Sequence, residues 1–176
     1  MMNQLIEKII LPYKSIIGKD YLAYKNHVHR ISFLTLKLKR KVEKDDIEKI
    51  AIAAVHHDIG IWTAKTFDYL EPSIKTAKKY LTENNLEKWT DEISLIIDMH
   101  HKRSAYKGKY SDNVESFRRA DFIDITRGKK DFGVYSEVLK KNYENYPMLG
   151  FRSLILKKFL KNLFLHPFNP LPMMKK

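Results

Sequence analysis

The sequence predicts an all-α protein, and three observations carry that prediction. Apolar residues recur at intervals of three and four through long segments. No stretch alternates with period two, and no Asn-Gly hairpin signal occurs. Glycine and proline are sparse, with six of each in 176 residues. This length suits one domain with a real core and is short for two. Cysteine is absent, so disulfides and thiolate metal ligands are excluded.

The elements follow in order from pattern and punctuation. A short helix is expected over Asn3–Ile10, ended near Pro12 and followed by a loop through Gly18. The second helix, Tyr21–Lys41, carries the stripe Ile31, Leu34 and Leu38. A third helical stretch, Asp46–Gly60, reads DIEKIAIAAVHHDIG. A loop then runs to Glu71, and Pro72 suits the first turn of a helix ending near Asn84. Thr90–His101 follows, with Thr90 as a plausible N-cap and Asp91 and Glu92 in the first turn. A basic, aromatic loop (102–112) leads to Asn113–Thr126, closed by Gly128. Helices over Phe132–Tyr146 and Phe151–Leu165 complete the pattern, and prolines predict an extended tail over 166–176. The chain is read as one domain, 1–176, with its motifs in 21–128 and the C-terminal helices and tail in 131–176.

Ionisable residues on apolar faces carry the chemistry. At about 100° per residue, Ile47, Ile50, Ala51 and Ala54 form one stripe. Its continuation puts Asp58 at the centre and His57 at the edge, while His56 points the opposite way. His27 continues the stripe of its own helix and His29 does not. Arg30 flanks the face of His27, towards the mouth of the site. His100 falls on the stripe of Ile93, Ile96 and Ile97, with His101 beside it. Asp121 sits within the stripe of Val114, Phe117 and Ile125, with Asp124 on its flank and Arg118 and Arg119 bracketing the face.

Four helices therefore turn His27, His57 with Asp58, His100 and Asp121 towards a core. A lone histidine there is usually a satisfied core residue, but a buried carboxylate without a partner costs several kcal/mol or changes its pKa. A metal ion removes that penalty. Imidazole and carboxylate are ligands for Zn, Mn, Fe, Co or Mg. Four such ligands on an octahedral ion leave two positions for water or a phosphate oxygen.

The order of these motifs is specific. A histidine in YKNHVHR, the pair in AAVHHDIG and an aspartate in FRRADFIDIT, on a helical chain, resemble the HD superfamily of metal-dependent phosphohydrolases over Tyr21 to Gly128. The resemblance implies a helical bundle around a buried divalent metal, one ion or two, held by His27, His57, Asp58 and Asp121. His100 matches the place where some branches add a histidine for a second metal or the substrate phosphate. Two departures stand out. Ile61 replaces the lysine that follows HDIG in the cyclic-dinucleotide branch, and no later GYP motif occurs. Ile61 also stands where the nucleotidase-like branch has an acidic residue, so the usual general acid is not evident.

The expected activity is metal-dependent hydrolysis of a small phosphorylated substrate, a nucleotide foremost. Lys65, His100 and His101 are the candidate catalytic groups, with the last two in protonated form. Arg30, Lys102 and Arg119 are the candidate substrate-binding groups. Two other readings stand beside it. One is a di-iron, oxygen-activating bundle; the other is a non-catalytic module binding a ligand or nucleic acid, though no nucleic-acid motif is recognisable. The net charge of +12 suits an anionic partner, and equally a lysine-rich solvated surface. Charged residues interrupt the first segment and no apolar run reaches membrane-span length, so a cytoplasmic location is expected.

Overall fold

A computed structural model describes residues 1–165, 167–168 and 171–174. Among these residues every regular element is helical and no strand occurs. The elements are α1 (Met2–Ile10), α2 (Lys14–Ile17), α3 (Tyr21–Leu38), α4 (Asp46–His56), α5 (Gly60–Thr63), α6 (Leu70–Glu83), α7 (Thr90–Met99), α8 (Ser111–Thr126), α9 (Ser136–Asn145) and α10 (Phe151–Leu165). No described helix is long and apolar enough to cross a membrane.

Helix α4 runs through the middle, with α1, α3, α6 and α7 around it. Its composition explains how. Ala51, Ala53 and Ala54 are fully buried, and their small side chains let neighbouring helices approach closely. Ile50, Ile52 and Val55, also fully buried, fill the gaps between them. Helix α3 packs most extensively on α8, and α10 and α9 also reach it. Both α3 and α4 are enclosed on more than one side, so their off-stripe histidines are buried too. His56 lies against Tyr13 and Tyr80, and His29 stacks on Tyr146 with centroids 4.6 Å apart.

Several boundaries differ from expectation. The predicted loop before Gly18 is a chain of helical turns: 3-10 turns at Leu11–Tyr13 and Gly18–Asp20 flank α2. Pro12 is tolerated because it sits in the first turn of its 3-10 helix. Helix α3 ends at Leu38, three residues early, where the backbone of Lys39 becomes extended. The Lys39 ammonium is buried against Asp112 (2.6 Å), Asp46 (3.2 Å) and Asn113. Thr90 is the first residue of α7, and no side-chain cap forms there. Helix α9 begins at Ser136, after Phe132 takes a left-handed conformation (φ 52°).

The end of α8 follows the capping rule with one change. The N–H of Gly128 donates to Ile123 O and that of Arg127 to Asp124 O, the paired bonds of a Schellman motif. Arg127 itself holds the first left-handed position (φ 55°). The extended-tail expectation falls partly outside the described residues. Within them, the chain turns at Leu171–Met174, where the Met174 N–H donates to Leu171 O and Met173 is buried.

Candidate metal centre

The cluster is assembled at helix ends. His57 and Asp58 lie in the turn that leaves α4, and His100 is the residue capping α7. His27 comes from the middle of α3 and Asp121 from α8. His27, His57 and His100 are each almost wholly buried, as are Asp58 and Asp121, both at 4 % exposure. Phe151, the first residue of α10, is fully buried and stacks on the His27 ring at 4.2 Å.

Backbone and carboxylate acceptors fix the tautomers. A carbonyl oxygen only accepts, so His57 donates its Nδ1 hydrogen to Ala54 O (2.7 Å), and His100 donates its own to Ile97 O (2.6 Å). His27 donates from Nδ1 to Asp124 Oδ2 at 2.7 Å. Asp124 is in turn held by Arg30, whose Nε and Nη2 donate to its two oxygens at 2.6 and 2.8 Å. In the neutral rings all three Nε2 atoms are lone pairs facing one space, and the carboxylates beside them favour a positive charge there, a proton or a metal ion. The Nε2 atoms of His27 and His57 stand 3.1 Å apart. His27 Nε2 is 3.5 Å from Asp121 Oδ1, His57 Nε2 is 3.3 Å from Asp58 Oδ2, and His100 Nε2 is 3.5 Å from Asp58 Oδ1.

These residues fit a cation. Asp58 Oδ1 and His100 Nε2 are buried with no hydrogen-bond partner, which is costly for a polar atom unless something fills the place. Three ligand groups overlap here: His27, His57 and Asp121; His57, Asp58 and His100; His100, His101 and Asp121. Imidazole nitrogens and carboxylate oxygens, with His27 oriented by Asp124, are the donor set of a divalent metal site.

The electrostatics point the same way. Burial opposes the charge on Asp58, yet the neighbouring His57 and His100 hold its carboxyl well below the usual range. Burial would push His57 down, but the carboxylate of Asp58 carries it above its ordinary value. Burial pushes Asp121 up. Burial, with the charge of His100 added, pushes His101 well below 6.5.

The sequence-predicted residues distribute unevenly. His27, His57, Asp58, His100, His101 and Asp121 come together. His101 sits at the edge, its side chain 23 % exposed, with Nδ1 4.0 Å from Asp121 Oδ2 and Nε2 2.6 Å from the Tyr69 hydroxyl. Burial and the neighbouring His100 both favour the neutral form of its ring. Arg30 is not at the mouth. It is fully buried, spent on Asp124 and on the carbonyls of Tyr146 and Pro147. Arg119 points elsewhere as well, donating to Glu115 at 2.7 Å and lying over Phe132. Its neighbour Arg118 lines a cavity with Lys102, His100, His101 and Asp121. Lys65 is exposed, with a left-handed backbone (φ 53°), and does not line that cavity.

The roles of three contributors escaped the pattern. Asp124, three residues past Asp121, was readable as sharing its face, and its partner Arg30 is 94 positions away in the chain. Tyr69 lies in a loop with no periodicity. Arg118 and Arg119 bracket the face alike in sequence, and the contacts to Glu115 and Lys102 decide between them.

No curated protein and no solved structure gives a significant match to the chain. A family model, the HD domain, matches residues 24–126, more than half of the chain and every one of the cluster residues. On this match, and on the helical fold that carries it, the chain belongs to the HD domain family.

Proposed function

We propose that the protein is a metal-dependent phosphohydrolase acting on a nucleotide or another small phosphate ester. The observation that carries this reading is a pair of buried atoms without a hydrogen bond, Asp58 Oδ1 and His100 Nε2, which face each other at 3.5 Å inside a His/Asp cluster. The family, made up mostly of metal-dependent hydrolases, supports it. His27, His57, Asp58 and Asp121 are the proposed ligands. His100 and His101, which share Asp58 and Asp121 with them, supply donors for a second ion. When bound, a divalent ion (Mn, Mg, Co, Fe or Zn) supplies a Lewis acid and brings the pKa of bound water towards neutrality.

The chain's own groups do the rest. A cavity of about 380 Å³ borders the cluster at His100, His101 and Asp121 and carries Lys102, Arg103 and Arg118. These cations favour a phosphate there and the charge that develops on it as the ester bond breaks. Arg118 is held by both oxygens of Glu115 at 2.7 Å and by the Lys102 carbonyl at 3.2 Å, so it fixes the cavity wall with its charge already matched, and Lys102 and Arg103 carry the attraction for phosphate. Asp124 with Arg30 holds the ring of His27, and Tyr69 holds that of His101. Where only one ion is held, the Nδ1 side of His101 is instead free to hydrogen-bond the leaving oxygen.

The test is phosphate release from a panel of nucleotides and simple phosphate esters with Mn, Mg, Co and Fe, beside an Asp58→Ala variant. Metal-dependent release, lost in the variant, supports the reading. Two bound irons with oxygen consumption and no phosphate release would replace it with the di-iron alternative. Steeply salt-dependent binding to nucleic acid without hydrolysis would replace it with the binding module.

A further inference from the structure

We infer that the organic half of the ester is a bulky, largely uncharged aryl or hydrocarbon body, seated beside His101. This rests on the phosphohydrolase reading for the phosphate end and on a second cavity for the other. That cavity, of about 540 Å³, is walled by Phe67, Tyr69, Ile125, Ile155, Phe159 and Met173. It shares His101, Ile125 and Met174 with the basic cavity of about 380 Å³. The two cavities therefore adjoin, and we take them as the two lobes of one site, with these shared residues at the joint. One end carries Lys102, Arg103 and Arg118 among the apolar Phe122, Ile125 and Met174; the other is walled mainly by apolar side chains, with Arg152 and Ser153 as its polar members; His101 is the ionisable residue common to both.

The joint is where the reaction would occur. His27, His57, Asp58, His100 and Asp121 are buried, whereas the His101 side chain is 23 % exposed. A phosphate held in the basic lobe against Asp121 and His100 has its alcohol portion directed past His101 into the apolar lobe. There the polar groups are few. The Tyr69 hydroxyl is committed to His101 at 2.6 Å, and Arg152 and Ser153 are exposed residues at the start of α10.

This lining discriminates between the ester classes. An aryl or hydrocarbon body gains by leaving water for the faces of Phe67 and Phe159 and the soft side chain of Met173. A nucleobase would enter with its edge donors and acceptors largely unpaired, a cost that a site without matching polar groups does not offset. The second kind of substrate proposed above, a small ester that is not a nucleotide, is the one the apolar lobe suits.

Binding to the Mn-loaded protein, followed by calorimetry, tests this with three phosphonate probes that cannot be hydrolysed. They are 1-naphthylmethylphosphonate, methylphosphonate and the phosphonate analogue of adenosine 5′-monophosphate. The naphthyl probe is expected to bind at least about tenfold tighter than methylphosphonate, and tighter than the adenosine probe. That preference should shrink about tenfold in Phe159→Ala, which removes a wall, and in Ser153→Trp, which fills the lobe from an exposed position and spares the core. Equal binding of the naphthyl and methyl probes would overturn the inference. So would a preference untouched by Ser153→Trp, or tighter binding of the adenosine probe. Phosphate release from 1-naphthyl phosphate is scored separately. Its absence, with the naphthyl preference intact, would reject the hydrolase reading and leave the aryl-binding lobe standing.

Discussion

The Nε2 atoms of His27 and His57 lie 3.1 Å apart, and neither carries a hydrogen in the neutral rings. Each ring has already committed its Nδ1 hydrogen, His27 to Asp124 and His57 to the Ala54 carbonyl. Two lone pairs at this distance repel unless a proton or a metal ion sits beside them, and both rings belong with Asp121 to one group able to hold an ion. An ion there stabilises the fold by mass action, by about 3 kcal/mol when free metal is a hundredfold above its Kd. Chelation should therefore lower the thermal midpoint by roughly 5–10 °C for a chain of this size. Scanning calorimetry with and without chelator checks this, and His27→Ala should remove the metal-dependent shift.

Asp124 links the cluster to a buried arginine. Asp124→Asn leaves the Arg30 guanidinium without its counter-charge in a fully buried place, which should cost about 3–5 kcal/mol. Loss of the carboxylate behind His27 should also weaken metal binding roughly 10–100-fold. Urea unfolding and metal titration separate the two effects. Arg30→Met with Asp124→Leu should recover most of the stability while metal affinity stays low. Recovery of both would mean that Asp124 does not position His27.

His56 sets a dependence on pH. It is fully buried, with Nδ1 donating to Ile52 O at 2.7 Å and Nε2 facing the Tyr13 hydroxyl at 3.2 Å. Burial brings its pKa from 6.5 down to about 4, although the Ile52 carbonyl favours the charged ring. Burial also raises the Tyr13 hydroxyl to about 12, so it stays a donor. Between pH 6.5 and about 4 the unfolded chain binds the proton and the folded chain does not, so stability falls as the pH falls. The full effect of this one group is about 3 kcal/mol. Denaturation midpoints measured across this range should show the slope, and His56→Gln should flatten it.

Gly60 is the glycine of HDIG, and its role is close approach. Its N–H donates to Ser73 Oγ at 3.0 Å, and a Cβ built on it would collide with the Tyr69 carbonyl oxygen and crowd Pro72. Gly60→Ala should destabilise the protein by about 1–3 kcal/mol, because backbone must move to make room. The displacement falls on Tyr69, so the variant should also perturb His101. A urea midpoint equal to wild type would contradict the packing described.

Helical periodicity made much of this visible in advance. It rotates His27 and Asp121 to the inner faces of α3 and α8, and the same phase, carried one or two residues past the ends of α7 and α4, points to His100 and Asp58. Phase does not say how far a long side chain reaches. Arg30 has the phase of His27, but its guanidinium bends inward to Asp124 and not outward to the mouth. Arg118 and Arg119 are about 100° apart on α8, and the nearby carboxylate of Glu115 engages both. Tyr69 and the turn at Leu171–Met174 belong to irregular segments, where contacts across the chain and not local pattern decide the position. The helical turns before Gly18 were hidden by Pro12, which breaks a helix interior yet begins one readily.

The cluster of His27, His57, Asp58 and Asp121 is expected to hold a divalent metal. The most direct measurement is metal content per chain, by elemental mass spectrometry, of purified protein loaded in turn with Mn, Mg, Co, Fe and Zn. At least one tightly held ion per chain, lost in Asp58→Ala while the variant keeps its helical circular dichroism, is the predicted result. Wild-type protein that retains no ion under any loading condition would contradict it.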